Sequence, residues 1–126
     1  MPTDDDYRRL LDFRTRLRQF DAWSRGEAER VGLTHAQHQL LLVIRGSGED
    51  PTIRDVAEHL LVKHHTAGEL ADRTQALGLI ERVADPADHR RVRLRLTDHG
   101  QEVLARLTAL HVDEVKQLQS RFPFGT

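Results

Sequence analysis

Val56-Ala57-Glu58-His59-Leu60-Leu61-Val62-Lys63-His64-His65-Thr66-Ala67-Gly68-Glu69-Leu70-Ala71-Asp72-Arg73-Thr74 is the stretch on which the fold turns. Just ahead of it, Thr52-Ile53-Arg54-Asp55 has the form of a capping box, so a helix is expected to open there. Ile53, Val56, Ala57 and Leu60 then recur at the spacing of one apolar helix face. Leu61-Val62 is a short apolar turn, and a second helix is expected from about Lys63 to Leu77. Its inner face is Ala67, Leu70, Ala71 and Thr74; its outer face is His64, His65, Gly68, Glu69 and Asp72. Gly78 follows as a C-cap.

Downstream, Leu79-Ile80-Glu81-Arg82-Val83 reads as a short strand and Asp85-Pro86-Ala87-Asp88-His89 as a turn. From Arg91 to Thr97 the chain alternates, with Val92, Leu94 and Leu96 on one face and Arg91, Arg93 and Arg95 on the other. That alternation predicts a half-buried strand, which closes a hairpin with the first. Thr97-Asp98 caps a last helix whose stripe is Leu104, Leu107, His111, Val115 and Leu118. Upstream, Leu10, Phe13, Leu17 and Phe20, with Trp23 near the same stripe, predict an amphipathic helix from about Asp5 to Arg30. Such a helix must bury its stripe, and another chain is one candidate surface. Gly32 breaks it, Thr34 and Gln37 form the next capping box, and the apolar run from Leu40 to Ile44 predicts a helix buried on most sides. Gly46-Ser47-Gly48-Glu49-Asp50-Pro51 is a loop.

The expected fold is therefore mainly α with a small two-stranded β-wing, a winged helix-turn-helix flanked by two longer helices. Three units are expected within one structural domain: residues 1–31 as an N-terminal helix open to pairing with another chain, 32–97 as the winged helix-turn-helix region, and 98–126 as a C-terminal helix and tail.

The 126 residues suit one domain with a modest core, and 38% hydrophobic with 31% charged residues suits a soluble chain. No apolar run is long enough for a membrane span, and no secretory pattern opens the chain, so it is read as cytoplasmic. The absence of cysteine removes disulfides, thiol redox chemistry and thiolate metal sites. A net charge of −1 is unhelpful to nucleic-acid binding, but Arg90, Arg91, Arg93 and Arg95 lie in a stretch without an acid, and local fields are what attract DNA. There is no nucleophile–base set, Gly-rich phosphate loop or His-Glu-x-x-His zinc helix, so an enzyme is not expected and no cofactor is assigned.

In a winged helix-turn-helix the second helix of the pair lies in the major groove with its N-terminal residues at base edges, while the hairpin loop places arginine beside it. Groove contact is the favoured reading of His64-His65, a solvated helix start the alternative. Arg90 and Arg91 at the loop are the firmest DNA candidates; Arg93 and Arg95 divide evenly between phosphate contact and plain exposure. Glu69 and Asp72 are more readily paired with a neighbouring arginine than with cytosine.

The chain also resembles the MarR family of bacterial regulators. The matching segments are Gly32-Leu33-Thr34 with Gln37 and Leu40-Leu41; Val56-Ala57-Glu58-His59-Leu60; Leu70-Ala71-Asp72-Arg73; Gly78-Leu79-Ile80-Glu81-Arg82; Asp85-Pro86-Ala87-Asp88-His89-Arg90-Arg91; and Leu94-Arg95-Leu96-Thr97-Asp98-His99-Gly100. They cover roughly 30–110, and their order and spacing make the resemblance specific. It implies a homodimer with interleaved first and last helices, binding double-stranded DNA at a pseudo-palindrome as a repressor. It places Lys63, His64, His65, Thr66 and Gly68 at the groove, Arg73 on phosphate or in a structural pair, Arg90 at the wing tip, and Asp88 as the carboxylate that orients the wing. It further implies a small aromatic effector between the dimerisation and DNA-binding regions, where Trp23, His38 and His111 are the candidate lining. Two features depart from the pattern. Thr74 stands where a larger apolar residue is usual, which predicts looser packing, and the last helix and tail are short, which bears on the C-terminal share of the interface. The competing readings are a winged-helix protein-interaction module without DNA binding, and a metal-responsive regulator using His35, His38 and His111.

Overall fold

A computed structural model describes residues 1–121. In chain order the elements are α1 (Asp4–Arg30), α2 (His35–Gly46), α3 (Ile53–Leu60), α4 (His64–Ala76), β1 (Ile80–Ala84), β2 (Val92–Leu96) and α5 (Asp98–Arg121). The fold is mainly helical with a two-stranded antiparallel wing, as the sequence pattern predicts. Residues 122–126 of the expected C-terminal unit lie outside the described residues. Among the described residues no helix is long and apolar enough to cross a membrane.

Local signals set most boundaries. Thr3, Thr34 and Thr52 each accept a hydrogen bond from the backbone N–H three residues on, and the side-chain oxygens of Asp6, Gln37 and Asp55 accept in turn from the threonine N–H. These reciprocal bonds satisfy donors that a helix start otherwise leaves open. α1 and α4 end alike. Gly32 and Gly78 take φ +81° and +74°, and the next N–H turns back, Leu33 to the Ala28 carbonyl at 2.9 Å and Leu79 to that of Thr74 at 3.4 Å. α3 ends through Leu61, which holds φ +57° without being glycine.

The core lies among α2, α3, α4 and the wing: Leu40, Leu41, Val56, Ala67, Ala71 and Leu94 are fully buried. β1 and β2 pair with Ile80 opposite Leu96 and Arg82 opposite Leu94. Thr52 bridges to Arg93, and the Leu94 N–H donates to the Pro51 carbonyl at 2.8 Å, so the loop before α3 runs along β2. α5 enters through Thr97, whose hydroxyl accepts from the Gly100 N–H at 3.0 Å and donates to the Gly78 carbonyl at 2.6 Å. Gly100 packs so tightly that an added Cβ would sit 1.9 Å from the Leu79 carbonyl oxygen.

Three expectations change. α2 packs against α1, α3, α4, α5 and β2, yet Leu42 in its apolar run is 50% exposed, because it lines the open cavity between α1, α2 and α5. The two faces of β2 are not cleanly apolar and polar: Val92 at the wing end is exposed, while Arg93 on the expected outer face is half-buried under the Asp50-Pro51 loop. Thr74 is fully buried, and its hydroxyl donates to the Leu70 carbonyl at 2.7 Å, which removes the cost of burying it unpaired.

Candidate nucleic-acid interface

α4 is fixed from behind and open in front. Ala67, Leu70, Ala71 and Thr74 bury its inner face. Lys63, His64, His65 and Glu69 are exposed, as is Arg73, while Thr66 and Gly68 are half-buried at the edge of the helix. Lys63 is the N-cap and makes no side-chain cap bond. The amides of the first turn thus have no side-chain cap, in a helix whose dipole favours an anion there. Asp72, expected to pair with an arginine, does so: Arg82 Nη2 lies 2.7 Å from Asp72 Oδ1, and Arg82 Nη1 donates to Gln75. Arg82 of β1 thus clamps α4 against the wing, a role not assigned from the sequence.

The wing loop is held by two carboxylates. Asp85 is nearly buried and accepts from Arg93 Nε at 2.8 Å and from the Ala87 N–H at 2.8 Å; these bonds, Arg93's first, hold its carboxyl below the usual range. Asp88 accepts from the Arg90 N–H at 3.1 Å and Arg90 Nε at 3.2 Å, and the Arg90 side chain is the main reason its carboxyl is also lowered. The Arg90 side chain remains 91% exposed at the tip, and Arg91 is exposed beside it.

Arg93 does not share that freedom. Its guanidinium binds Asp85 and donates to the Asp50 carbonyl at 2.6 Å, and the Asp85 bond raises its pKa further. It ties the wing to the loop before α3, a role that the reading of Arg93 as a phosphate contact or a plainly exposed side chain did not include. Asp85 was the missed partner; its signal was a turn acid eight residues from a strand arginine, which sequence reading had no means to pair.

The residues expected to line a ligand pocket are brought together with one exception. A cavity of about 550 Å³ between α1, α2 and α5 is lined by Phe20, His35, His38, Leu42, His111 and Val115, among others. Trp23 is not in its wall. Its indole lies behind His111, ring centres 4.7 Å apart, and Phe20 takes the aromatic position. The His38 and His111 rings are also 4.7 Å apart. His111 Nδ1 donates to the Leu107 carbonyl at 2.7 Å, which leaves Nε2 to accept from the Ser24 hydroxyl at 2.7 Å. Burial, followed by the neighbouring His111 and His35, lowers His38 to about 4. The metal-responsive reading finds no support, since both His111 nitrogens are occupied and no group of three or more His, Cys, Asp or Glu among the described residues is placed to hold an ion.

A family model described as MarR family matches residues 31–91, from the turn before α2 to the wing tip. Over that stretch, just under half of its length, the chain is similar to the MarR family. It is 30% identical over 73 residues to an uncharacterised HTH-type transcriptional regulator, YsmB of Bacillus subtilis, a match covering 58% of this chain and 50% of that protein. It thus aligns with only about half the length of that relative. Among solved structures, a MarR family transcription regulator superposes with TM-score 0.79 at 24% identity over 94% of this chain and 78% of its own. A mutant MarR from E. coli in complex with operator DNA superposes with TM-score 0.71 at 24% identity over 90% and 79%. At these identities the structural likeness speaks for the MarR winged-helix fold.

Proposed function

We propose that this chain is a sequence-specific DNA-binding transcription regulator of the MarR family, acting as a homodimer on a pseudo-palindromic operator, most simply as a repressor. The observation that carries the reading is the pairing of an open helix start, Lys63 to Thr66, with an arginine-tipped loop whose Arg90 side chain is 91% exposed. Lys63, His64, His65, Thr66, Gly68 and Glu69 meet the major groove; Arg73 contacts phosphate; Arg90 and Arg91 reach the adjacent minor groove and backbone. Residues 32–97 are the reading unit, and the flanking helices are the dimerisation unit. Apolar side chains on α1 and α5 support that division: Leu10, Leu11 and Leu110 are about half exposed or more, at 54%, 64% and 48%. The cavity between α1, α2 and α5 is the effector site, and a small aromatic molecule there changes the separation of the two recognition helices, which weakens operator binding.

The test is binding to duplex DNA over a salt series. Affinity should fall steeply and linearly on logarithmic axes, as expected when counterions are released from phosphates. Salt-independent binding, or none to any duplex, contradicts the reading and favours a protein-interaction module.

A further inference from the structure

We infer that Leu61, in the turn between α3 and α4, reads the operator directly, packing its side chain on the C5-methyl group of a thymine beside the base edges that α4 meets. The inference rests on reading α4 as the recognition helix and adds one specificity-determining residue and the base it selects.

The first observation is a comparison of three helix ends. α1, α3 and α4 each close through a residue in the left-handed region, after which the next N–H turns back: Leu33 to the Ala28 carbonyl, Val62 to that of Ala57 at 3.1 Å, and Leu79 to that of Thr74. At α1 and α4 the left-handed residue is a glycine, Gly32 or Gly78; at α3 it is Leu61, at φ +57° and ψ +43°. Among the described residues Leu61 is the one non-glycine residue with positive φ. A side chain in this conformation crowds its own backbone, which is why glycine takes it most readily. Leu61 gains almost no burial within the chain to offset that strain, since it is 90% exposed, and Val62 beside it is 39% exposed. A bulky apolar side chain held in strained backbone and in water points to a contact outside the chain.

Position says what that contact is. Leu61 stands two residues before Lys63, the N-cap of α4. Consecutive Cα atoms are about 3.8 Å apart, so the Cα atoms of Leu61 and Lys63 lie within about 7.6 Å of each other. Every residue from Leu61 to His65 is exposed, and the apolar pair runs without a break into the start of the recognition helix. A duplex that meets Lys63 and His64 therefore passes within side-chain reach of Leu61, and the Lys63 ammonium draws its phosphates to this turn. Phosphates and the polar base edges are hydrogen-bonding groups that a leucine side chain cannot answer. The major groove offers one apolar group, the methyl of thymine.

The test is anisotropy titration of the full chain with the best duplex selected from a random library. Each thymine in turn is replaced, in both half-sites, by deoxyuridine, which lacks only the methyl group. At one thymine position the replacement should weaken binding about fourfold per half-site, the factor that burying one methyl group is worth. Leu61→Gly should bind the thymine duplex more weakly by that factor and be indifferent to the replacement, while Leu61→Met, still apolar, should keep the sensitivity. Glycine adopts this turn without strain, and a urea midpoint of Leu61→Gly no lower than that of the unaltered chain checks that lost affinity is not lost folding. Sensitivity retained in Leu61→Gly, sensitivity at no thymine, or unchanged affinity of Leu61→Gly each overturns the inference; the last would leave a protein surface as what covers Leu61. No binding to any duplex overturns the reading of α4 and this inference with it, whereas sequence-specific binding indifferent to Leu61 overturns this inference alone.

Discussion

Between α2 and β2, Leu40, Leu41, Val56 and Leu94 are wholly buried, whereas on the outer part of α1 every residue from Asp4 to Asp12 is exposed. Both regions are regular structure, but they are stabilised by different forces. The winged lobe is held by tertiary burial. Outer α1 is held by local terms: the Thr3–Asp6 capping box, three aspartates in the first turn, and pairs such as Asp12–Arg16 at 3.7 Å. Exposed pairs of that kind contribute little each. Local terms alone leave a helix marginal in water. The contrast teaches that the lobe buries its apolar side chains within one chain, while Tyr7, Leu10, Leu11 and Leu17 on α1 are left exposed, which is what the proposed dimer requires.

The largest expected effect lies inside the lobe. Gly100→Ala places a methyl 1.9 Å from the Leu79 carbonyl oxygen, backbone against backbone, at the point where the wing passes into α5. It should cost about 3 kcal/mol or more in urea unfolding. A cost within error of zero would show that this junction is loosely packed.

The next prediction concerns the seam between lobe and long helices, where His38 sits. Its folded-state pKa is lowered from 6.5 to about 4, so the native state resists a proton that the unfolded chain accepts. Stability from the neutral imidazole is fully present above about pH 6.5 and is lost as pH falls toward 4, about 3 kcal/mol in all. Denaturant midpoints across that window should show the slope, and His38→Gln should flatten it.

Arg90 and Arg93 sharpen the contrast within the wing itself. Arg90→Ala should weaken binding to the best duplex by about 1–3 kcal/mol with the melting temperature unchanged. Arg93→Ala should instead lower thermal stability by releasing Asp85, and affect DNA only through a disordered wing. Anisotropy titrations alongside melting curves separate the two, and reversed effects would exchange their roles.

The smallest effect on folding is expected from Leu10→Glu on outer α1. The secondary structure of the lobe should persist at unchanged denaturant midpoint under monomeric conditions, while the sedimentation mass at micromolar concentration falls from two chains to one. A loss of folding in the monomer would mean that α1 is packed within its own chain.

The sequence was most legible where structure follows from short-range chemistry. The capping threonines Thr34 and Thr52, the glycine stops Gly32 and Gly78, and the inner face of α4 were all readable because each depends on residues a turn apart. The candidate site was legible only in part. The open helix start from Lys63 to Thr66 and the exposed Arg90 at the loop could be anticipated from the helix pair, the hairpin and the family resemblance. The tie made by Arg93 could not, because it depends on Asp50 and Asp85, which only the folded chain brings beside it. Trp23 and Phe20 lie near one helical stripe, and which of them faces the cavity is set by the angle at which α1 crosses α2 and α5, a quantity absent from residue spacing.

The central claim, two copies each offering one recognition helix and one wing, is tested most directly by selecting bound duplexes from a random library. The account predicts recovery of an inverted repeat whose half-site centres lie about one helical turn apart, or a multiple of it, on one face of the DNA. Enrichment of a lone, unrepeated half-site bound by a single chain, or no enrichment at all, would contradict it.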